Sequence, residues 1–309
     1  MGKRRIMFYG NLETPGKYFD PDDFYIIDQM SRLDADELFF VDLPDLEPDL
    51  TIKKALNLRT NDYQEMSMDH LEAIIFLEAS NVKKGIYQKP KIDEVMRRLA
   101  AVPDLFTLNS VGSFFELQDK SYICSHPEIN FPQSYLVDNA EEAIRRWREL
   151  GRDAVIKPLV GFGGEGVVRI TPNQDKFGDK LWEELFREHG PKIIQEYLPQ
   201  VRAGENSLFF FDRSYKYAIK KTPKEGDFRS NLRFCKKISP YSPPHSEIDA
   251  ALGAITCLNS SAMIIRVDLV GNKIMEITAE CPGFYVEEAE VQGQIGKYFY
   301  EILNRYCPA

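Results

Sequence analysis

Three stretches of the chain carry residue types whose spacing could bind and transfer phosphate. The first is a glycine-rich loop that follows an apolar strand pattern ending near Lys157. Glycines let backbone N–H groups approach phosphate oxygens closely, and the lysine adds positive charge. The loop lies between two strand patterns and lacks the P-loop and dinucleotide-binding spacings, so a plain hairpin turn explains it equally well when it is taken alone. The glycines concerned are Gly161, Gly163, Gly164 and Gly166.

Two acidic residues in the last third of the chain could hold a divalent cation. Asp268 ends an apolar run, and Glu276 follows eight residues later, beyond the turn pattern at 270–273. Carboxylates on adjacent antiparallel strands can share one face of a sheet and bind a hard cation such as Mg2+, which neutralises the phosphates of a nucleotide. Taken alone, the pair fits two solvated acids on an exposed sheet at least as well.

A polar, cation-rich segment at 221–233 lies between two apolar strand patterns. A mobile loop that closes with Arg229 and Arg233 over an anionic reaction centre would have this composition. An ordinary exposed loop would have much the same composition, so this segment alone does not decide between the two.

The elements that must position these residues fall into three segments. Strands alternate with helices over 1–118, which predicts a small, mostly parallel α/β lobe. Its predicted elements are strands at 4–9, 37–41, 71–77 and 105–108 and helices at 22–33 and 91–101. Residues 119–195 predict an α+β lid with strands at 131–137, 154–158, 167–170 and 192–197, a helix capped by Asn139 and a helix near 176–188. Residues 196–309 predict an antiparallel-sheet lobe with strands at 207–211, 216–221, 262–269 and 273–278 and helices near 245–258 and 287–306.

Composition excludes several classes of protein. The net charge of −9 provides no global basic field for nucleic acid, and no apolar run is long enough to span a bilayer. Five scattered cysteines without CxxC spacing and four dispersed histidines argue against a disulfide framework and a zinc site. We therefore expect a cytoplasmic protein without nucleic-acid or membrane partners.

The order of the motifs resembles an ATP-grasp ligase, and most closely prokaryotic glutathione synthetase. The matching stretches are VIKPLVGFGGEGVVRI, IIQEYLPQVRAGE, TPKEGDFRSNL and RVDLVGNKIMEIT, and the interval between Asp268 and Glu276 also matches. The resemblance begins near Leu117 and ends at about Pro282. It implies an α/β (α+β) chain with the ATP-grasp fold, made of an N-terminal parallel lobe, a central lid and a C-terminal antiparallel-sheet lobe.

The resemblance also implies a role for each matching residue. Phosphate contacts of ATP would come from Lys120 and Lys157, covered by the loop with Gly161, Gly163, Gly164 and Gly166. The adenine and ribose would face Gln195, Glu196, Tyr197, Leu198 and Glu205. The loop that closes on the acyl phosphate would contribute Arg229 and Asn231. The metal ligands would be Asp268, Glu276 and Thr278.

The chain departs from the family pattern at three places. Thr278 stands where the family has Asn, and a hydroxyl is a poorer magnesium ligand than an amide oxygen. Ser207 replaces an arginine that follows the ribose acid. The strand LEAIIFL runs into residues 78–81 without the family's Asp-Pro-Pro segment. These departures weaken two expectations: that the chain has a second metal position and that its product is glutathione.

The implied activity is ATP-dependent ligation of a carboxylate to an amine through an acyl phosphate, with ATP and Mg2+ as cofactors. The expected substrates are small molecules, an amino acid or a short peptide, as in glutathione synthesis. Two alternatives remain: a ligase for a specialised amino acid or a ribosomal peptide, and a nucleotide-binding protein without ligase activity. Members of the family commonly self-associate, so a homo-oligomer is a further expectation.

Overall fold

A computed structural model gives the three-dimensional structure of the chain. It describes residues 3–10, 21–33, 36–77, 89–161, 163–173, 179–187, 190–279 and 282–308. Three sheets organise these residues into an N-terminal lobe, a lid and a C-terminal lobe, in the order that the sequence predicts. No helix in the described ranges is long and apolar enough to cross a membrane.

The N-terminal lobe is a six-stranded sheet with the strand order β4-β3-β2-β1-β5-β6. Its strands are β1 (Arg5–Gly10), β2 (Glu37–Asp42), β3 (Ile52–Asn57), β4 (Asp62–Met66), β5 (Ala73–Phe76) and β6 (Phe106–Leu108). The strands β2, β1, β5 and β6 run parallel, which confirms the predicted parallel core. Helices α1 (Pro21–Arg32) and α2 (Lys89–Leu99) cover opposite faces of the sheet, because each contributes buried side chains to a different core cluster. The antiparallel hairpin β3–β4 was not predicted.

Two short helices, neither of them predicted, connect this lobe to the lid. They are α3 (Val111–Gln118) and α4 (Tyr122–Ser125). Tyr122 and Phe131 pack against the C-terminal sheet, so the first residues after the predicted boundary at 118 contact that lobe. Lys120 lies between the two helices, and its backbone N–H donates to the carbonyl of Leu159 in the lid.

The lid is a four-stranded antiparallel sheet with the order β7-β10-β8-β9. The strands are β7 (Ser134–Val137), β8 (Ala154–Pro158), β9 (Val168–Ile170) and β10 (Lys192–Glu196). Helices α5 (Ala140–Glu149) and α6 (Asp179–Leu185) pack on the sheet, where the rings of Trp147 and Trp182 lie 5.6 Å apart. The side chain of Asn139 accepts a hydrogen bond from the backbone of Glu142, which confirms the predicted cap of α5. The predicted ends of α6 at 176 and 188 lie outside the described residues.

The C-terminal lobe is a five-stranded antiparallel sheet with the order β13-β12-β11-β14-β15. Its elements are β11 (Glu205–Phe211), β12 (Ser214–Pro223), β13 (Cys235–Pro240), helix α7 (His245–Leu258), β14 (Ile264–Val270), β15 (Lys273–Thr278) and helix α8 (Ile295–Tyr306). Helix α7 packs on one face of the sheet, and α8 packs on the other. The predicted β14–β15 hairpin is confirmed, and Gly271 occupies its turn at a φ of 59°.

Two predicted boundaries in this lobe were wrong. The segment proposed as one loop over 221–233 is shorter, because its first three residues, 221–223, lie in β12. The last helix was predicted from 287 but begins at Ile295. Glu290 has a φ of 59°, a left-handed conformation that an α-helix does not accept, so the chain turns there instead.

Candidate active site

One half of a face of the C-terminal sheet is charged. Side chains alternate between the two faces of a strand, so residues two apart on β11 and β14 lie on the same face. Phe209 and Ile264 form the apolar half of this face and pack in the core beneath α8. The other half carries two cations, two carboxylates and a hydroxyl, which we call the charged cluster: Glu205, Ser207, Lys221, Arg266 and Asp268.

Asp268 is the most heavily hydrogen-bonded member of the cluster and is only 3% exposed. Arg266 donates from Nε to Oδ1 at 3.0 Å and from Nη2 to Oδ2 at 2.9 Å, in a bidentate pair. Ser207 donates to Oδ1 at 2.5 Å, and Lys221 Nζ lies 3.4 Å from the same oxygen. Burial raises the pKa of Asp268, but Arg266 and Lys221 outweigh burial and hold the pKa below its usual value. Asp268 is therefore a fixed carboxylate within this sheet.

Glu205 and Lys221 form the second ion pair of the cluster across β11 and β12. Lys221 Nζ lies 2.6 Å from Glu205 Oε1, and Lys221 is only 2% exposed. Although burial acts against its charge, Asp268 and Glu205 raise the pKa of Lys221. Burial raises the pKa of Glu205, and Lys221 offsets part of this effect. The pair keeps the predicted ribose acid at the edge of the charged cluster.

Glu276 lies opposite Asp268 on β15, as predicted from the eight-residue interval. Its Oε1 is 3.3 Å from Nζ of Lys120, which also donates to the carbonyl of Gly161 at 2.8 Å. Lys120 therefore joins the start of the glycine-rich loop to the acidic strand. Glu276 is only partly buried, so its carboxylate remains accessible beside Lys120 and Lys157.

Lys157, at the end of β8, lies on the lid side of the same region. Its Nζ donates to Oε1 of Gln195 at 3.2 Å, and Gln195 in turn donates to the hydroxyl of Ser134 at 2.8 Å. Burial, opposed by Glu276 and reinforced by the nearby charge of Lys120, lowers the pKa of Lys157 to about 8. An incoming anion would therefore stabilise the charged form of Lys157 more than that of a lysine in water.

The described part of the glycine-rich loop requires glycine. Gly163, Gly164 and Gly166 have φ values of 60°, 75° and 69°, a region that residues with a Cβ rarely adopt. A Cβ on Gly164 would also collide with Oδ1 of Asn231 and lie 3.2 Å from the ring of Phe234. The loop between β12 and β13 thus packs directly against the glycine-rich loop of the lid, although the two were predicted from separate signals.

The strand β10 leaves the lid through the predicted hinge. Glu196 accepts a hydrogen bond from the backbone of Gln133 at 2.9 Å, so its side chain holds β7 beside the hinge. The guanidinium of Arg169 lies 3.4 Å from the centre of the Tyr197 ring. Around this ring is a group of apolar side chains, which we call the apolar slot: Val155, Tyr197, Leu198, Val201, Phe228, Val270 and Met275.

Arg229 follows Phe228, the residue of this loop that contributes to the apolar slot. Its guanidinium binds Asp227 through Nη2 at 2.8 Å and lies 3.5 Å from the centre of the Phe234 ring. Asp227 and Phe234 thus fix its orientation within the loop. Arg233 instead contacts Glu165 of the glycine-rich loop at 3.2 Å, and both side chains are more than half exposed.

The predicted metal ligands differ in what they offer to a cation. Glu276 and Asp268 are cross-strand neighbours, which is the arrangement predicted, but both oxygens of Asp268 are already bound by side chains. Glu276 has a partly exposed carboxylate and fits a cation that also contacts phosphate. Thr278 has a buried hydroxyl without a hydrogen-bond partner among the described residues, and it pairs with Arg266 across the strands. Within these ranges, no group of three or more His, Cys, Asp or Glu side chains could by itself hold a metal ion.

Three cluster members, Ser207, Lys221 and Arg266, were not predicted as site residues. Arg266 is two residues from Asp268 on a strand that was predicted, so the period of two could have placed them on one face. Lys221 lies at the end of the predicted strand 216–221. Its place beside Glu205 follows only from the pairing of β12 with β11, which was not predicted.

Comparison with known proteins places this arrangement in a family. The family model described as the prokaryotic glutathione synthetase ATP-grasp domain matches residues 119–293, more than half of the chain. The chain belongs to this family. The glutathione synthetase of Rhodopseudomonas palustris is 27% identical over 184 residues, which cover 58% of this chain and 57% of that protein. The enzyme of Nitrosomonas europaea is 29% identical over 189 residues, covering 60% of this chain and 58% of that one.

The chain therefore spans little more than half the length of the curated relatives it matches, whereas solved ATP-grasp structures align along nearly all of it. D-cycloserine synthetase DcsG superposes with a TM-score of 0.72 at 16% identity, covering 97% of this chain and 99% of that one. A RiPP-associated ATP-grasp ligase from Chryseobacterium gregarium gives 0.71 at 16% identity, covering 99% and 98%. The D-alanine–D-alanine ligase of Bacillus anthracis gives 0.63 at 15% identity, covering 98% and 97%. These likenesses confirm the ATP-grasp fold predicted from the sequence.

Proposed function

We propose that the chain joins a carboxylate to an amine at the expense of ATP, through an acyl phosphate. The observation that carries the proposal is the convergence of Lys120, Lys157 and Glu276 beneath the glycine-rich loop. Two cations and an accessible carboxylate at the meeting point of two lobes suit a polyphosphate and its metal ion. The curated relatives named above are glutathione synthetases, which supports the same reaction class.

The nucleotide would lie between the lid and the C-terminal sheet. The adenine suits the apolar slot, because an aromatic ring, Leu198 and Met275 provide apolar surface, and the backbone after Glu196 offers hydrogen-bonding groups. Met275 precedes Glu276 in the chain, so a base in the slot leaves its phosphates near Glu276 and the two lysines. Glu205 would then face the ribose, as the resemblance implies.

The two chemical steps need positioned charge more than a nucleophilic side chain. An oxygen of the substrate carboxylate bonds to the γ-phosphorus while the bond to the bridging oxygen breaks and ADP leaves. The amine nitrogen then bonds to the acyl carbon while phosphate departs, and the phosphate takes up the amine proton. Lys120 and Lys157 would stabilise negative charge on the phosphates, and Arg229 would stabilise the acyl phosphate after its loop closes. Mg2+ held at Glu276 would neutralise phosphate charge when bound.

A conservative change at Arg229 tests its assigned role. A guanidinium can donate two parallel hydrogen bonds to an acyl phosphate, whereas an ammonium offers a point charge. We expect Arg229→Lys to lower turnover about 10- to 100-fold while the dissociation constant for ADP changes less than about twofold. The measurements are steady-state kinetics and calorimetric titration with ADP.

Arg233→Lys is the matched control, because Arg233 makes an exposed ion pair in the same loop. Normal turnover in Arg229→Lys together with a defect in Arg233→Lys would contradict the assignment. It would show that the roles given to Arg229 and Asn231 belong to other residues of this loop.

The reaction class is tested by coupling ADP release to acceptors. The chain is incubated with ATP, Mg2+ and pairs drawn from a panel of amino acids and dipeptides, and ADP is measured with each component omitted in turn. A ligase releases ADP stoichiometrically with amide product only when both substrates are present. ADP binding without acceptor-stimulated ADP release over the whole panel would favour a nucleotide-binding protein without ligase activity.

A ligase with a different acceptor is the second candidate. The match to the glutathione synthetase family begins at residue 119, so the N-terminal lobe lies outside it. Ser207 also replaces the family's arginine, and its hydroxyl is committed to Asp268. These features favour a substrate other than that of glutathione synthetase. A specialised amino acid or a ribosomal peptide belongs in the panel, since a D-cycloserine synthetase and a RiPP-associated ligase share the fold.

The pKa of Lys157 near 8 makes nucleotide affinity depend on pH. Below pH 8 the ammonium is charged and attracts phosphate, whereas above pH 8 the free chain loses this proton and binding must restore it. We expect the dissociation constant for ADP to rise about tenfold from pH 7.5 to pH 9. Calorimetric titrations of the wild type and of Lys157→Ala measure this, and an identical pH dependence in both would rule out Lys157 as the source.

A further inference from the structure

The charged cluster balances its charge without any added ion. Its two cations are Lys221 and Arg266, and its two carboxylates are Glu205 and Asp268. All four are partly or fully buried, with Lys221 and Asp268 almost wholly removed from water. A divalent cation bound to Asp268 with this arrangement intact would add two positive charges beside two buried cations that the carboxylates of the cluster already balance, which is unfavourable.

The lone pairs of Asp268 are also occupied. An ionised carboxylate offers about four lone-pair sites. Its Oδ1 receives contacts from Ser207 Oγ at 2.5 Å, Arg266 Nε at 3.0 Å and Lys221 Nζ at 3.4 Å. Its Oδ2 receives contacts from Arg266 Nε at 3.2 Å and Nη2 at 2.9 Å. A metal could reach Asp268 only by displacing one or more of these donors.

Arg266 is not free to move aside. Its Nη1 donates to the carbonyl of Pro282, so Nε and both terminal nitrogens have acceptors. Gly283 follows directly, at a φ of 52°, and a Cβ built there would lie 3.7 Å from Nη1. Pro282 and Gly283 therefore lie against the guanidinium, and the carbonyl of Pro282 helps to hold it against Asp268. On the opposite strand the neighbour of Arg266 is Thr278, whose hydroxyl is a weaker cation ligand than an amide oxygen.

We propose that the guanidinium of Arg266 takes the place of a divalent cation at Asp268, so that the chain holds one metal ion per bound nucleotide, at Glu276. This inference rests on the proposed function for its nucleotide. It departs from the sequence prediction that Asp268, Glu276 and Thr278 bind metal together. The permanent cation supplies part of the positive charge that would otherwise arrive with a second ion, and it cannot be removed by a chelator.

The test counts Mn2+ ions as a magnetic probe for the metal. The chain is saturated with ADP, titrated with Mn2+ and dialysed to equilibrium. Free Mn2+ is then measured by electron paramagnetic resonance, and bound ADP is measured by absorbance. We expect one Mn2+ per bound ADP in the wild type. Two Mn2+ per ADP would overturn the inference while leaving the proposed function intact, whereas absence of ADP binding would overturn the proposed function itself.

Arg266→Met supplies the converse test, because it leaves Asp268 without its bidentate partner. We expect a second Mn2+ per ADP in this variant, with a thermal melt to show that it is folded. Arg305→Met is the matched control: it removes the same charge from an exposed pair with Asp212 and should keep the count at one. A folded Arg266→Met that still binds one Mn2+ would overturn the inference.

If Arg266→Met does not fold, the number of Mn2+ ions bound per ADP in the wild type remains the test. Asp268→Asn adds an independent measurement. We expect it to leave Mn2+ affinity within about twofold, whereas Glu276→Gln should weaken it more than about tenfold. Equal weakening by the two variants would overturn the inference.

Discussion

Replacing Glu276 with glutamine is expected to reduce ligation at least about a thousandfold, which corresponds to about 4 kcal/mol of lost transition-state stabilisation. Glutamine keeps the shape of the side chain but removes the charge that faces Lys120 and would hold the metal against the phosphates. The fold should survive, because Glu276 is only partly buried and its ion pair with Lys120 is at 3.3 Å. The measurement is acceptor-dependent ADP release, using the substrate pair that the panel identifies.

Glu301→Gln is the control for the loss of an acidic side chain. Glu301 lies on α8 and pairs with Lys216 at 2.8 Å, at the apolar end of the sheet. This variant should turn over normally. Normal turnover in Glu276→Gln would show that the metal ligand lies elsewhere, and it would also remove the basis for a single metal ion at this position.

Lys157→Ala is expected to raise the dissociation constant for ADP about 100-fold, or about 2.7 kcal/mol. The ammonium is buried in the free chain, and its pKa is about 8. An incoming phosphate therefore stabilises the charge of Lys157 without first having to displace water from it. Alanine keeps the backbone pairing of β8 with β10 and removes the side-chain hydrogen bond from Lys157 to Gln195. Calorimetric titration of ADP at pH 7.5 measures the effect.

Lys216→Ala serves as its control, since it removes a lysine from a strand of the C-terminal sheet where the lysine pairs with Glu301 of α8. An unchanged ADP affinity in a folded Lys157→Ala variant would contradict the placement of the nucleotide between the lid and the C-terminal sheet. Equal losses in both variants would instead indicate a nonspecific effect of charge.

The sequence predicted those parts of the site that depend on local pattern. The β14–β15 hairpin followed from the turn chemistry around Gly271, and that hairpin alone is enough to put Asp268 beside Glu276. The glycine-rich loop followed from its composition after Lys157. Both features lie within a few residues along the chain, where alternation and turn preferences determine the conformation.

Edge strands were missed because they bury little. All of β4 except Met66 is exposed, so no alternation of apolar and polar residues marks it. Strand β13, at the edge of the C-terminal sheet, is partly or fully exposed along its whole length and was not predicted either. Their positions are determined by backbone hydrogen bonds to the preceding strand, β3 for β4 and β12 for β13, which a pattern of apolar residues does not record.

The charged cluster was missed for a different reason. Asp268 was assigned to a metal because its chemistry permits metal binding, but its partners Ser207 and Lys221 lie 61 and 47 residues away along the chain. Arg266 is close in sequence, and its role depends on which side of β14 faces the lid. The roles of Arg229 and Asn231 remain predictions: Arg229 binds Asp227 of its own loop, and Asn231 lies against Gly164 of the glycine-rich loop.

Asn109 joins the N-terminal lobe to the C-terminal sheet through one side chain. Its amide nitrogen donates to the carbonyls of Ile264 and Ala279, and its amide oxygen accepts from the backbone of Met263 and Ile264. A single amide therefore satisfies backbone groups at the ends of both strands that carry the charged cluster and Glu276. Any chimaera that grafts a substrate-selecting lobe from another ligase onto this sheet must bring an asparagine to this position, or the catalytic strands lose their alignment at the junction.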